Sequence, residues 1–227
     1  MAGSMSDIIA CERMWRHLHV RYCTALVLCM VFISMFAPPV GGPLVAAPAP
    51  LHQFDFHGDL TDSMGTGTTL SVHPDTATSG FGTGEWWWTA TSGPGGGLVL
   101  ETDALTDPQS YSLGFRVEFG ATGPGYKKIV SFAGPASDSG LYFYGSHLNF
   151  YPLGTNDTVS YAPDTFYDFV FARGTDDVIR VYVVEGDGTV TKVFEVDDPS
   201  DLSVPVISGD KFQFMFFMDD TATNGEY

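Results

Sequence analysis

From His52 onward, apolar and polar residues alternate with a period of two, and turn-forming residues interrupt them at short intervals. The stretch "YSLGFRVEF" is the clearest instance. Tyr111, Leu113, Phe115, Val117 and Phe119 fall on one face of a strand, and Ser112, Gly114, Arg116 and Glu118 on the other. "LYFYGSHLNFY" reads as a hairpin turning at Gly145 and Ser146, and "VIRVYVVEGDGTVTKVFEV" as a second turning at "EGDG". "FQFMFFM", residues 212–218, is apolar on both faces and predicts a central strand covered from both sides. No stretch after His52 carries a helical period. Many short strands without helices predict an all-β fold, a two-sheet antiparallel β-sandwich of jelly-roll type.

The N-terminal part has a different pattern. "MWRHLHVRYC" carries Arg16 and Arg21, and the chain is then apolar from Ala25 to Phe36 but for Ser34. A basic segment, an apolar run and then the small residues of "GGPLVAAPAP" form the order of a secretory signal peptide. Residues 1–49 are therefore expected to be signal peptide and leader, with processing between Ala46 and Leu51. Met14 is an alternative start, because it would remove Asp7 and Glu12 from an otherwise positive segment. The apolar run is short for a ~30 Å hydrocarbon layer, so no stable membrane insertion is expected once the leader is removed, and a signal-anchored form is the alternative. Residues 50–227 then form one domain, secreted or at the cell surface. Because "DDTATNGEY" follows directly on a strong strand, the domain is expected to lack its last strand.

Charge and cysteine usage narrow the chemistry. The 227 residues hold 10 Lys and Arg against 27 Asp and Glu, a formal net charge of −17. Such a field repels phosphate backbones, so nucleic acid is not an expected partner. Cys11, Cys23 and Cys29 all precede the processing region. The exported part therefore has no disulfide, no cysteine-based zinc site and no thiol nucleophile, and must stand on its hydrophobic core.

Three groups of residues could carry function. In "EWWWT" adjacent side chains alternate, so Trp86 and Trp88 share one face while Trp87 shares the other with Glu85, and no three-ring platform can form. Burial of a lone carboxylate is costly, so Trp86 and Trp88 are expected inside. On the hairpin, with Leu141, Phe143, Leu148 and Phe150 facing the core, Tyr142, Tyr144, His147, Asn149 and Tyr151 share the outer face. Rings to stack on C–H groups, with an amide and an imidazole for hydroxyls, are what a sugar site needs, although tyrosine also suits any wet sheet face. Loop carboxylates suggest calcium: Asp59 and Asp62 in "GDLTDSMGTG", and Asp219, Asp220 and Glu226 in "DDTATNGE". Neither group has EF-hand spacing, and a solvated turn explains each as simply.

At "YSLGFRVEF", "GYKKIVSFAG", "SDSGLYFYGSHLNFYP" and "FQFMFFMDDTATNGE" the chain resembles the laminin-G-like, concanavalin-A-like lectin/glucanase domains of exported bacterial proteins, over roughly residues 51–227. The resemblance implies a jelly roll that binds glycans or extracellular and surface proteins, often with calcium held in rim loops, which raises the Asp219, Asp220 and Glu226 group. The same fold hosts glycoside hydrolases with an E-x-D-x-x-E strand motif. "ETDALTD" offers Glu101 and Asp103 on one face, but Thr106 stands where the third carboxylate belongs and Asp107 is one residue late. The expected function is thus a noncatalytic recognition module. A glycoside hydrolase and a purely structural surface module are the alternatives.

If Asp219, Asp220 and Glu226 hold calcium, chelation lowers the melting temperature and added calcium restores it. Binding to the folded state alone stabilises by about 2.7 kcal/mol at a hundredfold excess of ligand over Kd. Identical melting curves with chelator and with calcium would show these acids to be solvated.

Overall fold

The computed structural model describes residues 29–32, 49–74, 78–89, 96–118, 126–134, 137–154, 157 and 159–218, with the backbone alone for residues 29–32 and 89. Every regular element among them is a strand. In chain order these are β1 (Cys29–Phe32), β2 (His52–Phe54), β3 (Ser71–Val72), β4 (Thr78–Phe81), β5 (Trp86–Thr89), β6 (Leu98–Thr102), β7 (Tyr111–Glu118) and β8 (Lys127–Ser131). Then follow β9 (Gly140–Tyr144), β10 (His147–Tyr151), β11 (Phe166–Arg173), β12 (Val178–Val184), β13 (Val190–Asp197), β14 (Val206–Ser208) and β15 (Lys211–Phe216).

Two antiparallel sheets form a β-sandwich. The first has the order β13-β12-β11-β7-β1-β2, and the second β10-β9-β8-β15-β6-β3. The strand expected to be covered on both faces is β15. It pairs with β6 on one side and with β14 and then β8 on the other, and Phe214, Met215 and Phe216 are all buried. The β9–β10 hairpin turns at Gly145 and Ser146, both at positive φ (57° and 71°), which matches the right-handed twist of the strands they join. β1, drawn from the expected leader, is an interior strand between β7 and β2.

The alternation read from the sequence is the alternation of burial. Tyr111, Leu113, Phe115 and Val117 of β7 lie beside Phe169 and Phe171 of β11 and Ile179, Val181 and Val183 of β12 on the inner face of the first sheet, within one core. Rings join the two sheets. Phe132 lies 5.1 Å from Phe171, Tyr111 lies 5.4 Å edge-on from Phe214, and Phe150 meets Phe171 at 6.4 Å. Such pairs add about 0.5–1.5 kcal/mol each beyond the area they bury.

One end of the sandwich is closed by Arg173, whose side chain is wholly buried. Nη1 donates to the Gln109 carbonyl at 2.9 Å, and Nη2 to Asp201 at 2.6 Å and Asp177 at 3.2 Å. Asp198 accepts the backbone N–H groups of Leu202 and Ser203, and the Tyr111 hydroxyl donates to the Ser203 carbonyl. The guanidinium is thus repaid for its desolvation by a near-complete set of acceptors.

The β4–β5 hairpin carries the three tryptophans on the faces parity requires. Trp86 is 5 % exposed, Trp88 is half-buried against the core, and Trp87 is 44 % exposed. Glycine makes this possible at two places. The Trp87 ring lies over Gly80, where a Cβ would approach Cζ2 to 2.9 Å, and Gly96, at φ 90°, leaves room for the Trp88 ring. Trp86→Ala should therefore cost about 3–5 kcal/mol in chemical denaturation, the usual range for a large aromatic removed from a core, and Trp87→Ala well under half of that. Equal losses from the two variants would contradict this division of faces.

Candidate functional site

The two outer faces of the sandwich differ in chemistry. On the first sheet, Arg116 of β7 donates to Asp168, its register partner on β11, at 2.7 Å. Arg180 of β12 bridges Asp176 at 2.7 Å and Glu195 of β13 at 3.1 Å, and Lys192 adds a second cation to Glu195 at 2.6 Å. Charges there are matched laterally. On the second sheet, β8, β9 and β10 present rings.

Each ring is placed by register. β9 and β10 pair Tyr144 with His147, Tyr142 with Asn149 and Gly140 with Tyr151. All five expected residues therefore share one surface, along which His147, Asn149 and Tyr151 extend over roughly 14 Å at strand spacing. Tyr144 and Tyr151 are 40 % and 44 % exposed. Tyr142 differs from its expected place: it is on this face but 1 % exposed. Its hydroxyl donates to Asp138 at 2.8 Å, the Lys128 ammonium sits 5.0 Å over its ring, and Tyr126 meets it edge-on. Tyr142 is thus a support for the surface, with no ring face open to a ligand.

Two members of this surface were missed from the sequence. Tyr126 stacks on Tyr144 with centroids 4.0 Å apart and planes 12° from parallel, which fixes the exposed ring. Lys128 reaches the outer face because of a register shift between Lys128 and Val130 that places Lys128 opposite Tyr142. The only signal for either was the doubled Lys after Tyr126, which parity alone could not assign to a face.

His147 is held by the chain that follows it. Its Nδ1 lies 2.7 Å from the Val159 carbonyl, which can only accept, so Nδ1 carries the hydrogen and the neutral ring offers Nε2 as an acceptor. Asp157 accepts Leu148 N–H and Val159 N–H, each at 2.8 Å, and Phe150 exchanges both backbone bonds with Gly154. The outer edge of β10 is thereby laced by its own loop.

The carboxylates proposed for calcium divide. Asp219, Asp220 and Glu226 lie outside the described residues. Asp62 is buried inside a different arrangement. One oxygen accepts His52 Nδ1 at 2.9 Å and the Thr66 hydroxyl, and the other accepts Gln53 N–H and Met64 N–H, each at 2.9 Å. Asp59 accepts the Thr61 N–H at 2.9 Å and stays at the surface. Both Asp62 oxygens are therefore committed to an internal hydrogen-bond network, while Asp59 caps its own turn through Oδ1 at the surface. Among the described residues no group of three or more His, Cys, Asp or Glu side chains is arranged to hold a metal ion.

The same network has the connectivity of a hydroxyl-activating relay, because His52 Nε2 lies 2.7 Å from the Thr102 hydroxyl. Yet Thr102 and His52 are each 1 % exposed, so no substrate carbonyl can reach the hydroxyl. What it does is mechanical: His52 on β2 of the first sheet is bonded to Thr102 on β6 of the second. Of the carboxylates considered for glycoside hydrolysis, Glu101 is exposed and accepts Ser208 Oγ at 2.9 Å and Gln213 Nε2 at 3.1 Å, while Asp107 accepts the Gln109 N–H at 2.9 Å. Among the described residues no helix is long and apolar enough to cross a membrane.

Fold and surface together define an antiparallel β-sandwich with one ion-paired and one aromatic outer face. No family model matches the chain, and no curated protein matches it. Among solved structures it is similar to the crystal structure of a protein of unknown function from Shewanella oneidensis MR-1, with a TM-score of 0.48 and 13 % sequence identity, covering 100 % of this chain and 91 % of that one.

Burial pushes the Asp62 carboxyl up, but the hydrogen bonds from Thr66, Gln53, His52 and Met64 together outweigh it and hold it below the usual carboxylate value. The stabilisation this implies is fully present above the unfolded carboxylate value of about 4 and is lost as pH falls through the lower folded one. Asp62→Asn should therefore cost about 2–4 kcal/mol at neutral pH. In urea denaturation at neutral pH and again well below pH 4, the gap between wild type and variant should narrow in acid. A gap of constant size would show that the network does not depend on the carboxylate charge.

Proposed function

We propose that this chain is an exported, noncatalytic recognition module of the laminin-G-like, concanavalin-A-like kind, and that the outer face of its second sheet binds glycans. The observation that carries this reading is the contrast between the two outer faces. A sheet face that only has to be wet can carry matched charges, as the first one does at Arg116–Asp168 and Arg180–Glu195 beside Val170 and Tyr182. The second instead keeps Tyr144 and Tyr151 exposed beside His147 and Asn149, with Tyr126 stacked behind Tyr144. Rings fixed before the ligand arrives lose little freedom on binding, and the imidazole Nε2 and the Asn149 amide N–H supply directional partners for hydroxyl groups. The formal charge of −17 favours neutral glycans over acidic ones. Calcium at Asp219, Asp220 and Glu226 would act at a rim loop, apart from the stacking residues.

The test is a glycan array with the full chain, with and without calcium, followed by titration of the best binder. Tyr144→Ala and Asn149→Ala should each weaken binding about tenfold or more, equivalent to about 1.4 kcal/mol, while leaving the melting temperature of the domain nearly unchanged. Binding to extracellular matrix proteins but to no glycan would move the ligand to the protein class. Silence across both would favour a structural surface module.

A further inference from the structure

The two rings left open on the outer face of the second sheet are far apart. Tyr151 stands opposite Gly140 of β9, and Gly140 lies a full strand's length from Tyr144. At about 3.4 Å per residue, with one strand spacing sideways, the rings are rooted roughly 14 Å from each other. The row between them is closed to stacking, because Tyr142 is 1 % exposed, with Tyr126 and Lys128 against its ring. Its register partner on β10 is Asn149, which is half-buried. A sugar ring is about as wide as one tyrosine ring, so a monosaccharide that stacks on Tyr144 leaves Tyr151 bare.

The open faces define a direction. β9 lies between β8 and β10 in the sheet. Tyr126, on the β8 side, covers one face of Tyr144 with centroids 4.0 Å apart, so the face left open looks toward β10 and over His147, its register partner. From there the outward positions of β10 follow in a straight line: His147, whose Nε2 accepts, Asn149, whose amide N–H donates, and Tyr151, whose ring is open. The order is ring, acceptor, donor, ring. At one end the line runs out over Gly145, which is exposed and where a Cβ would meet nothing within 4 Å, and at the other it reaches the exposed Pro152. That leaves room for a chain longer than the line itself. The Lys128 ammonium does not add a charge to this path: Lys128 is 4 % exposed, donates to the Ser137 carbonyl at 3.3 Å and lies over Tyr142.

We propose that this line binds the interior of a straight, uncharged polysaccharide chain lying lengthwise along β10, and that it engages about three or more consecutive sugar units, at roughly 5 Å per unit. The inference rests on the reading of this face as a glycan site and adds the length, shape and direction of the ligand. Each stacking contact alone is weak. Once one ring is engaged, the other is reached within the same chain at a high effective concentration, so the pair binds far better than either. Straightness is required because a strand sets both rings on one line, and a chain that coils away after the first ring misses the second. A terminal sugar gains nothing from the second ring.

The experiment titrates the full chain with cello-, manno- and xylo-oligosaccharides from disaccharide to hexasaccharide, and with malto-oligosaccharides as the coiled counterpart. In at least one straight series affinity should rise about tenfold or more between disaccharide and tetrasaccharide and then level off. Tyr151→Ala should abolish that rise while leaving disaccharide binding in place, and Tyr151→Phe, which keeps the ring, should retain it. Melting temperatures close to wild type establish that both variants are folded. Methylation of both ends of the hexasaccharide should leave its affinity unchanged. Equal affinity from disaccharide to hexasaccharide, or loss of binding when a chain end is blocked, would overturn the inference while leaving the glycan reading intact. Binding of branched, acidic or coiled glycans with no member of the straight series bound would do the same. Silence toward every glycan would overturn the glycan reading itself, and the inference with it.

Discussion

Ring packing across the middle of the sandwich is the constraint on which the other features rest. Tyr111 and Phe171 from the first sheet meet Phe132, Phe150 and Phe214 from the second, with centroids 5.1–6.4 Å apart. All three cysteines lie at or before Cys29, so no disulfide joins β2–β15 to one another; the sheets stay in register because strands of both deliver rings at alternate positions, and a slip of one residue would turn those rings outward. The polar clamps lie beyond this centre. His52 reaches across to Thr102, and Arg173 gathers the loops that bring Gln109, Asp177 and Asp201 together.

The period-two pattern made the fold class legible, because β7, the β9–β10 hairpin and β15 alternate strictly or are apolar throughout, and helical packing offers no use for such patterns. What the pattern could not show is contact between distant parts of the chain. Asp62 looks like a loop acid, and only the fold brings it His52, ten residues earlier in the chain, and gives His52 the hydroxyl of Thr102. Tyr142 sits on the face that parity assigns, yet its burial is decided by Tyr126, Lys128 and Asp138, which a loop and a register shift bring over it. Likewise, the four residues Cys29–Phe32 carry no mark in the sequence that distinguishes a membrane-targeting run from the sheet strand they form, since both need only apolar side chains.

The candidate surface was legible in membership and illegible in hierarchy. His147, Asn149 and Tyr151 follow from strand spacing, and Tyr144 from the two-residue turn that sets it opposite His147. Which rings are open and which are props depends on what packs on the sheet from outside. The first sheet shows the contrast: the register that pairs Arg116 with Asp168 could not be read from either strand alone. Asp168 is nonetheless pushed up by burial more strongly than Arg116 pulls it down, a sign that this face too is partly shielded from water.

The lacing of β10 has a consequence for how many copies can be crowded together. The Leu148 N–H is spent on Asp157 and both outward backbone groups of Phe150 on Gly154, so that border of the second sheet offers little to an approaching strand. Copies crowded together with their β10 borders adjacent would find little main-chain ladder to form between them, and would remain separate particles along that border rather than seed a fibre.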